Sequence, residues 1–163
     1  MDALSAAPNQ NVRPLSADDV ERLIAIDRAH TGQIRRRYFE KHFSAAKAHP
    51  DDVVHIGVDR DGSLRGFAIA RILRGEFGRE QAVAVLDVVG VEPESQERGV
   101  GHTLMAKLTE IMRRRGVQSI QTEANWKDRG LLRFFDASGF GLAPRLVLER
   151  NVAAPLDETI EEV

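Results

Sequence analysis

Six residues in the middle of the chain, Gln96-Glu97-Arg98-Gly99-Val100-Gly101, have types and an order suited to binding an anion. They open an amphipathic run in which Val100, Leu104, Leu108, Ile111 and Met112 recur at helical spacing. The first turn of such a helix leaves its leading backbone N–H groups unpaired and carries a partial positive charge, so it attracts phosphate. Glycine at 99 and 101 lets the backbone approach an oxygen ligand closely, and Arg98 adds a cation at the rim. A plain strand-to-helix turn that needs glycine for its dihedrals explains the same pair, so the flanking sequence must decide. A dinucleotide fingerprint wants a third glycine where Leu104 stands, although Glu123 lies where a ribose contact would be expected. A P-loop is excluded, because no Gly-Lys-Ser/Thr follows.

Elements on both sides must position that loop. Residues Gln81 to Pro93 carry an apolar run, Ala82 to Val91, interrupted only by Asp87, and read as a central strand covered on both faces. The helix from Val100 closes at Gly116, with Arg113, Arg114 and Arg115 at the negative end of its dipole or simply solvated. Ser119 to Ala124 follows as a strand, and right-handed crossover makes it parallel to the strand before the helix. Leu131, Leu132, Phe134 and Phe135 mark a further helix ending at Gly139, and Arg145 to Arg150 reads as a last strand. Upstream, Ser16 and Asp19 form a capping box for a helix over Ala17–Arg28, and a second helix spans Ile34–Ala48. Between Val53 and Leu73, β-branched residues flank Asp61-Gly62, a strong hairpin signal.

Composition narrows the function. A chain of 163 residues accommodates one domain, expected over 11–152, with a flexible start (1–10) and an acidic tail (153–163). There is no cysteine, which removes disulfides, thiolate metal sites and cysteine nucleophiles. Lys and Arg number 23 against 25 Asp and Glu, a net charge of −2 that recruits neither nucleic acid nor an anionic membrane. The start lacks a basic segment followed by an apolar run, and no stretch is apolar enough to span a bilayer, so a cytoplasmic protein is expected. The histidines, including His42 and His49, lack metal-ligand spacing, and no metal is expected.

The stretch V-x-P-x-x-Q-x-x-G-V-G-x-x-L from Val91 to Leu104 resembles the coenzyme A motif of the Gcn5-related N-acetyltransferase superfamily. The likeness extends from Val83 through Asn125 to the closing Phe134-Phe135-Asp136-Ala137-Ser138-Gly139-Phe140. It implies a single-domain α/β (α+β) acyl-CoA N-acyltransferase fold. Its sheet would be mixed, mostly antiparallel, twisted and splayed in the middle, with about six or seven strands and about four flanking helices. It further implies that backbone amides of Gln96, Glu97, Arg98, Gly99, Val100, Gly101, His102 and Thr103 hold the pyrophosphate of acetyl-CoA. Val89 and Val91 would offer backbone groups to the pantetheine arm. Gly90 would mark a bulge that splays the strands, or else a close packing contact. Asn125 would lie near the coenzyme, or cap a turn.

The implied reaction is attack of a neutral primary amine, on a small molecule or a protein, upon acetyl-CoA. For a lysine-like amine, neutralisation at pH 7 costs about 4.6 kcal/mol, which gives a base something to contribute. Asp87, the lone carboxylate of its strand, is the first candidate and Glu123 the second, with a purely structural carboxylate the alternative. Phe135 stands where many relatives carry a tyrosine that protonates the leaving thiolate, and Tyr38, the sole tyrosine, is a substitute donor. Arg35, Arg36 and Arg37 either meet an acidic group or form a solvated helix face, and Trp126 either walls the acceptor pocket or fills a gap under the last helix. A non-catalytic acyl-CoA-binding domain of the same fold is the alternative function, and a homodimer is left open.

Overall fold

The hairpin sets the frame. Asp61 (φ 53°) and Gly62 (φ 75°) both adopt the left-handed backbone of a two-residue turn, joining β2 (Val53–Arg60) to β3 (Ser63–Leu73). In this computed structural model, which describes residues 10–78 and 80–153, the expected flexible start and acidic tail fall almost wholly outside the described residues. β1 (Gln10–Pro14) pairs antiparallel with β2, and β4 (Val83–Val91) pairs antiparallel with β3. β5 (Ser119–Gln121) runs parallel to β4, so the sheet order is β1-β2-β3-β4-β5. The parallel step comes from the crossover through α3 (Val100–Arg114), as right-handed geometry requires.

Both faces of the sheet are covered. Ala68, Ala70, Ala84 and Leu86 turn toward Leu104, Leu108 and Met112 of α3 and Phe135 of α4 (Arg129–Ala137). Phe67 and Ile69 turn the other way, against Leu23 and Ile26 of α1 (Val20–Thr31) and Phe39 of α2 (Arg36–Ala48). Small residues on one face of β3 and large ones on the other explain why it reads as a near-continuous apolar run. A 3-10 turn over Ala17–Asp19 leads into α1, and the Ser16 N–H donates to the Asp19 carboxylate at 2.8 Å, as the capping box predicts. Of the arginine run, Arg35 pairs with buried Asp27 and Arg36 with Glu21 at 2.5 Å, which fastens α2 to α1 rather than leaving a solvated face.

Two expectations need correction. The final strand over Arg145–Arg150 does not form: the segment is irregular, with Leu146 87% and Leu148 88% exposed. Apolar and β-branched composition favours a strand only where an edge can pair with it, and β5, ending at Gln121 rather than Ala124, offers three residues. The sheet therefore has five strands among the described residues, fewer than expected. β1 has no clear signal in its own sequence, because Arg13 and Pro14 break the alternation. It forms because the edge of β2 is available.

Candidate active site

The loop between β4 and α3 is held at both ends. At its start, Glu92 accepts from Arg65 Nη1 at 2.7 Å and from Ser95 Oγ at 3.2 Å, and it pairs with Arg22. Burial works to raise the Glu92 carboxyl, but the hydrogen bonds from Arg65 and Arg22 outweigh it and hold the group below the usual carboxylate range. At its end, Glu97 (φ 62°) and Gly99 (φ 80°) turn the chain through left-handed conformations into the helix. The first helical bond runs from the Thr103 N–H to the Gly99 carbonyl at 2.9 Å. The N–H groups of Val100, Gly101 and His102, one turn ahead of that bond, therefore find no acceptor within the helix. Gln10 of β1 clasps the loop across the sheet. Its Nε2 donates to the Arg98 carbonyl at 3.0 Å, and its Oε1 accepts from Thr103 Oγ1 at 2.7 Å.

Sequence reasoning missed Gln10 altogether, since it lies within the stretch expected to be flexible and nothing local marks it. Gly101 also has a reason the sequence hid: a Cβ there would stand 2.7 Å from Phe134 Cε2, so α4 packs on its bare Cα. The side chains of Gln96, Glu97, Arg98 and His102 are exposed around the unpaired amides.

β4 and β5 share three register positions, Val83 to Val85 against Ser119 to Gln121, and then diverge. Beyond them, among the described residues, Thr122 Oγ1 donates to the Leu86 carbonyl at 3.0 Å, and His30 Nε2 lies 2.6 Å from the Val91 carbonyl. The stretch holding Val89, Gly90 and Val91 is thus paired in the sheet only with β3. The bulge expected at Gly90 lies instead at Asp87: Ala70 opposes Leu86 and Ile69 opposes Val88, leaving Asp87 as the extra residue. Gly90 pairs regularly with Phe67 and is glycine because a Cβ would meet Phe67 Cε1 at 2.7 Å.

The bulge turns Asp87 toward α2. Arg71 donates from Nε and Nη2 to its two oxygens at 2.6 and 2.7 Å, and these bonds hold the Arg71 guanidinium above its ordinary value. Three further titratable side chains gather on this face. Tyr38 and His42 of α2 stand with ring centroids 4.6 Å apart, and His55 of β2 lies 6.1 Å from His42. Burial raises the Tyr38 hydroxyl, reinforced by Asp87, so it keeps its proton. Burial lowers His42 below 6.5 and, with His42 beside it, takes His55 down to about 4. His55 Nε2 is buried without a hydrogen-bond partner.

A family model for acetyltransferases, the Acetyltransferase (GNAT) family, matches residues 20–140. The chain belongs to that family. No curated protein matches. Among solved structures, an aminoglycoside N-acetyltransferase in complex with CoA is similar at 17% identity, with a TM-score of 0.72 over 91% of this chain and 99% of that one. An aminoglycoside acetyltransferase from an uncultured soil metagenomic sample, solved with sisomicin, matches at 13% identity and TM-score 0.69, over 89% of this chain and 97% of that chain. Glucosamine-6-phosphate N-acetyltransferase from Arabidopsis thaliana matches at 14% identity and TM-score 0.69, over 87% and 98%. At these identities the likeness is one of fold.

The remaining expected residues of this family member are dispersed. Asn125 Oδ1 accepts from the Lys127 N–H at 2.9 Å, so the turn-capping alternative is realised, with its Nδ2 left over. Glu123 is exposed beyond the last paired residue of β5. Phe135 is 6% exposed, packed between Phe134 and Phe140, and its place in the core is an apolar one. Trp126, 79% exposed, fills no gap under α4. Among the described residues no group of His, Asp and Glu could hold a metal ion, and no helix is long and apolar enough to cross a membrane.

Proposed function

We propose that this chain transfers the acetyl group of acetyl-CoA to a primary amine, on a small molecule or a protein, by direct attack within a ternary complex. One observation carries the reading: the unpaired N–H groups of Val100, Gly101 and His102 adjoin a strand whose edge is open past Val85. That donor set, with Arg98 beside it, fits a diphosphate. The amides from Glu97 to His102 clasp it, those of Gln96 and Thr103 at the ends of the expected range being engaged by the Pro93 and Gly99 carbonyls, and Val89, Gly90 and Val91 flank the pantetheine arm, with Asn125 Nδ2 nearby. His30 would yield the Val91 carbonyl to the arm. Acetyl-CoA supplies the thioester. The chain must supply charge for an arriving ammonium and a route for its proton.

Asp87 faces the acceptor side and provides that charge, with Glu123 the second carboxylate. Tyr38, which keeps its proton, replaces the tyrosine that Phe135 lacks as donor to the leaving thiolate. The near-balanced charge and absence of cysteine suit a cytoplasmic enzyme with no nucleic-acid or membrane partner. Titration calorimetry with acetyl-CoA, followed by thiol release against an amine panel that includes sisomicin and glucosamine 6-phosphate, tests the reading. The core position of Phe135 favours one other, an acyl-CoA-binding domain without turnover, which binding without thiol release would support. Absence of acetyl-CoA binding overturns both.

A further inference from the structure

We infer that the His42 imidazole takes the proton from the acceptor amine, with Asp87 of β4, which acts on it electrostatically, stabilising the imidazolium. This rests on the acetyltransferase reading and assigns a step within it. Asp87 is the obvious acceptor by sequence, yet both its oxygens already receive hydrogen bonds from Arg71. What it presents to the acceptor side is charge. Glu123 lies exposed beyond the end of β5.

His42 has what these two lack. It sits one turn beyond Tyr38 on the sheet-facing side of α2, half-buried, and its ring nitrogens make no hydrogen bond to a described residue. The groups that face it are Tyr38 and Lys41 on its own helix, His55 on β2, Arg71 on β3 and Asp87 on β4. Burial, Arg71 and Lys41 favour the neutral ring, while Asp87 favours the charged one; the balance leaves a neutral imidazole at pH 7 that an adjacent carboxylate can support once protonated. His55, deeper and without a partner at Nε2, stays neutral to about 4 and does not compete for the proton.

The step balances. An acceptor ammonium gives one proton to His42, which becomes imidazolium and later releases it to solvent. The freed lone pair forms the N–C bond to the acetyl carbonyl as the C–S bond breaks. Tyr38 gives its proton to the thiolate and regains one from the nitrogen, giving the amide and CoA thiol.

The test measures thiol release from acetyl-CoA by wild type and His42→Gln with two nucleophiles, cadaverine, protonated at neutral pH, and hydroxylamine, already neutral. Rates are followed between about pH 5.5 and pH 8.5. For cadaverine, kcat/KM should fall by about a hundredfold at neutral pH, and the plateau of its pH profile should give way to a rise of about tenfold per pH unit across the range, as only the neutral amine then reacts. Hydroxylamine should change less than about threefold, since general-base help is what the substitution removes. Added imidazole should restore cadaverine turnover in His42→Ala, a second variant that keeps the test open if glutamine disturbs α2. A plateau retained in His42→Gln, or equal losses with both nucleophiles, overturns the assignment while leaving the acetyltransferase reading in place. A wild-type chain that binds acetyl-CoA but releases no thiol with either nucleophile overturns both.

Discussion

Replacing Gln10 by leucine should weaken acetyl-CoA binding without unfolding the domain. The side chain makes two bonds to the loop, to the Arg98 carbonyl at 3.0 Å and from Thr103 Oγ1 at 2.7 Å. Each such bond contributes about 0.5–1.5 kcal/mol net. The Arg98 contact is exposed, so water replaces it readily and its loss falls at the low end. Thr103 Oγ1 has one proton and a second acceptor in the Gly99 carbonyl at 2.9 Å, so the hydroxyl is not orphaned either. A total of about 1–2 kcal/mol follows, and because it is the ordering of the loop that is lost, it appears as coenzyme affinity. That is a rise in Kd of roughly five- to thirtyfold. Titration calorimetry with CoA measures it, and the split matters: KM for acetyl-CoA should rise while kcat holds. Gln10→Glu should be worse than leucine, since it removes the donor to Arg98 and places a negative charge beside the diphosphate. A leucine variant that binds CoA within about twofold of wild type would refute the clasp, since a loop needing no support would show no change.

Gly90→Ala should destabilise the fold by about 1–3 kcal/mol in urea unfolding, because its methyl would sit 2.7 Å from Phe67 Cε1 and 3.2 Å from Ile26 Cγ2. Arg35→Met should cost about 3 kcal/mol, since it strands the Asp27 carboxylate, 3% exposed, without its partner; a matched loss of midpoint without change in slope checks it. Acidification should act through His55: its folded value of about 4 lies below the ordinary 6.5, so the unfolded chain binds the extra proton and stability declines as pH drops from 6.5 toward 4. The full shift amounts to about 3 kcal/mol, nearer about 2 once solvent screening is allowed for. The difference in unfolding free energy between pH 7.5 and 4.5 should therefore shrink by about that amount in His55→Gln, and an undiminished difference counts against a buried neutral ring.

Elements built on neighbouring residues were legible in the chain. The capping box at Ser16, the Asp61-Gly62 hairpin, the amphipathic spacing from Val100 to Met112 and the glycine-bearing loop before it each encode their geometry within a few positions. The family motif is legible for the same reason, since the loop between β4 and α3 is one contiguous segment. Arg145–Arg150 carries the composition of a strand but meets no edge to complete it. The bulge was placed at Gly90 because glycine suggests irregular backbone, whereas the true slip at Asp87 depends on how two strands align.

Sequence by itself determined the mixed fold, the crossover and the glycine-bearing turn into the helix, because these follow from periodicity, handedness and backbone groups present in any chain of this pattern. Tertiary structure alone decided which side chains meet. Gln10 reaches Thr103 and Arg98, two arginines converge on Glu92, Arg71 covers Asp87, and His42 meets His55 across a helix and a strand. Each of these contacts joins residues brought together by register and packing, and neither quantity is stored at any single position of the chain.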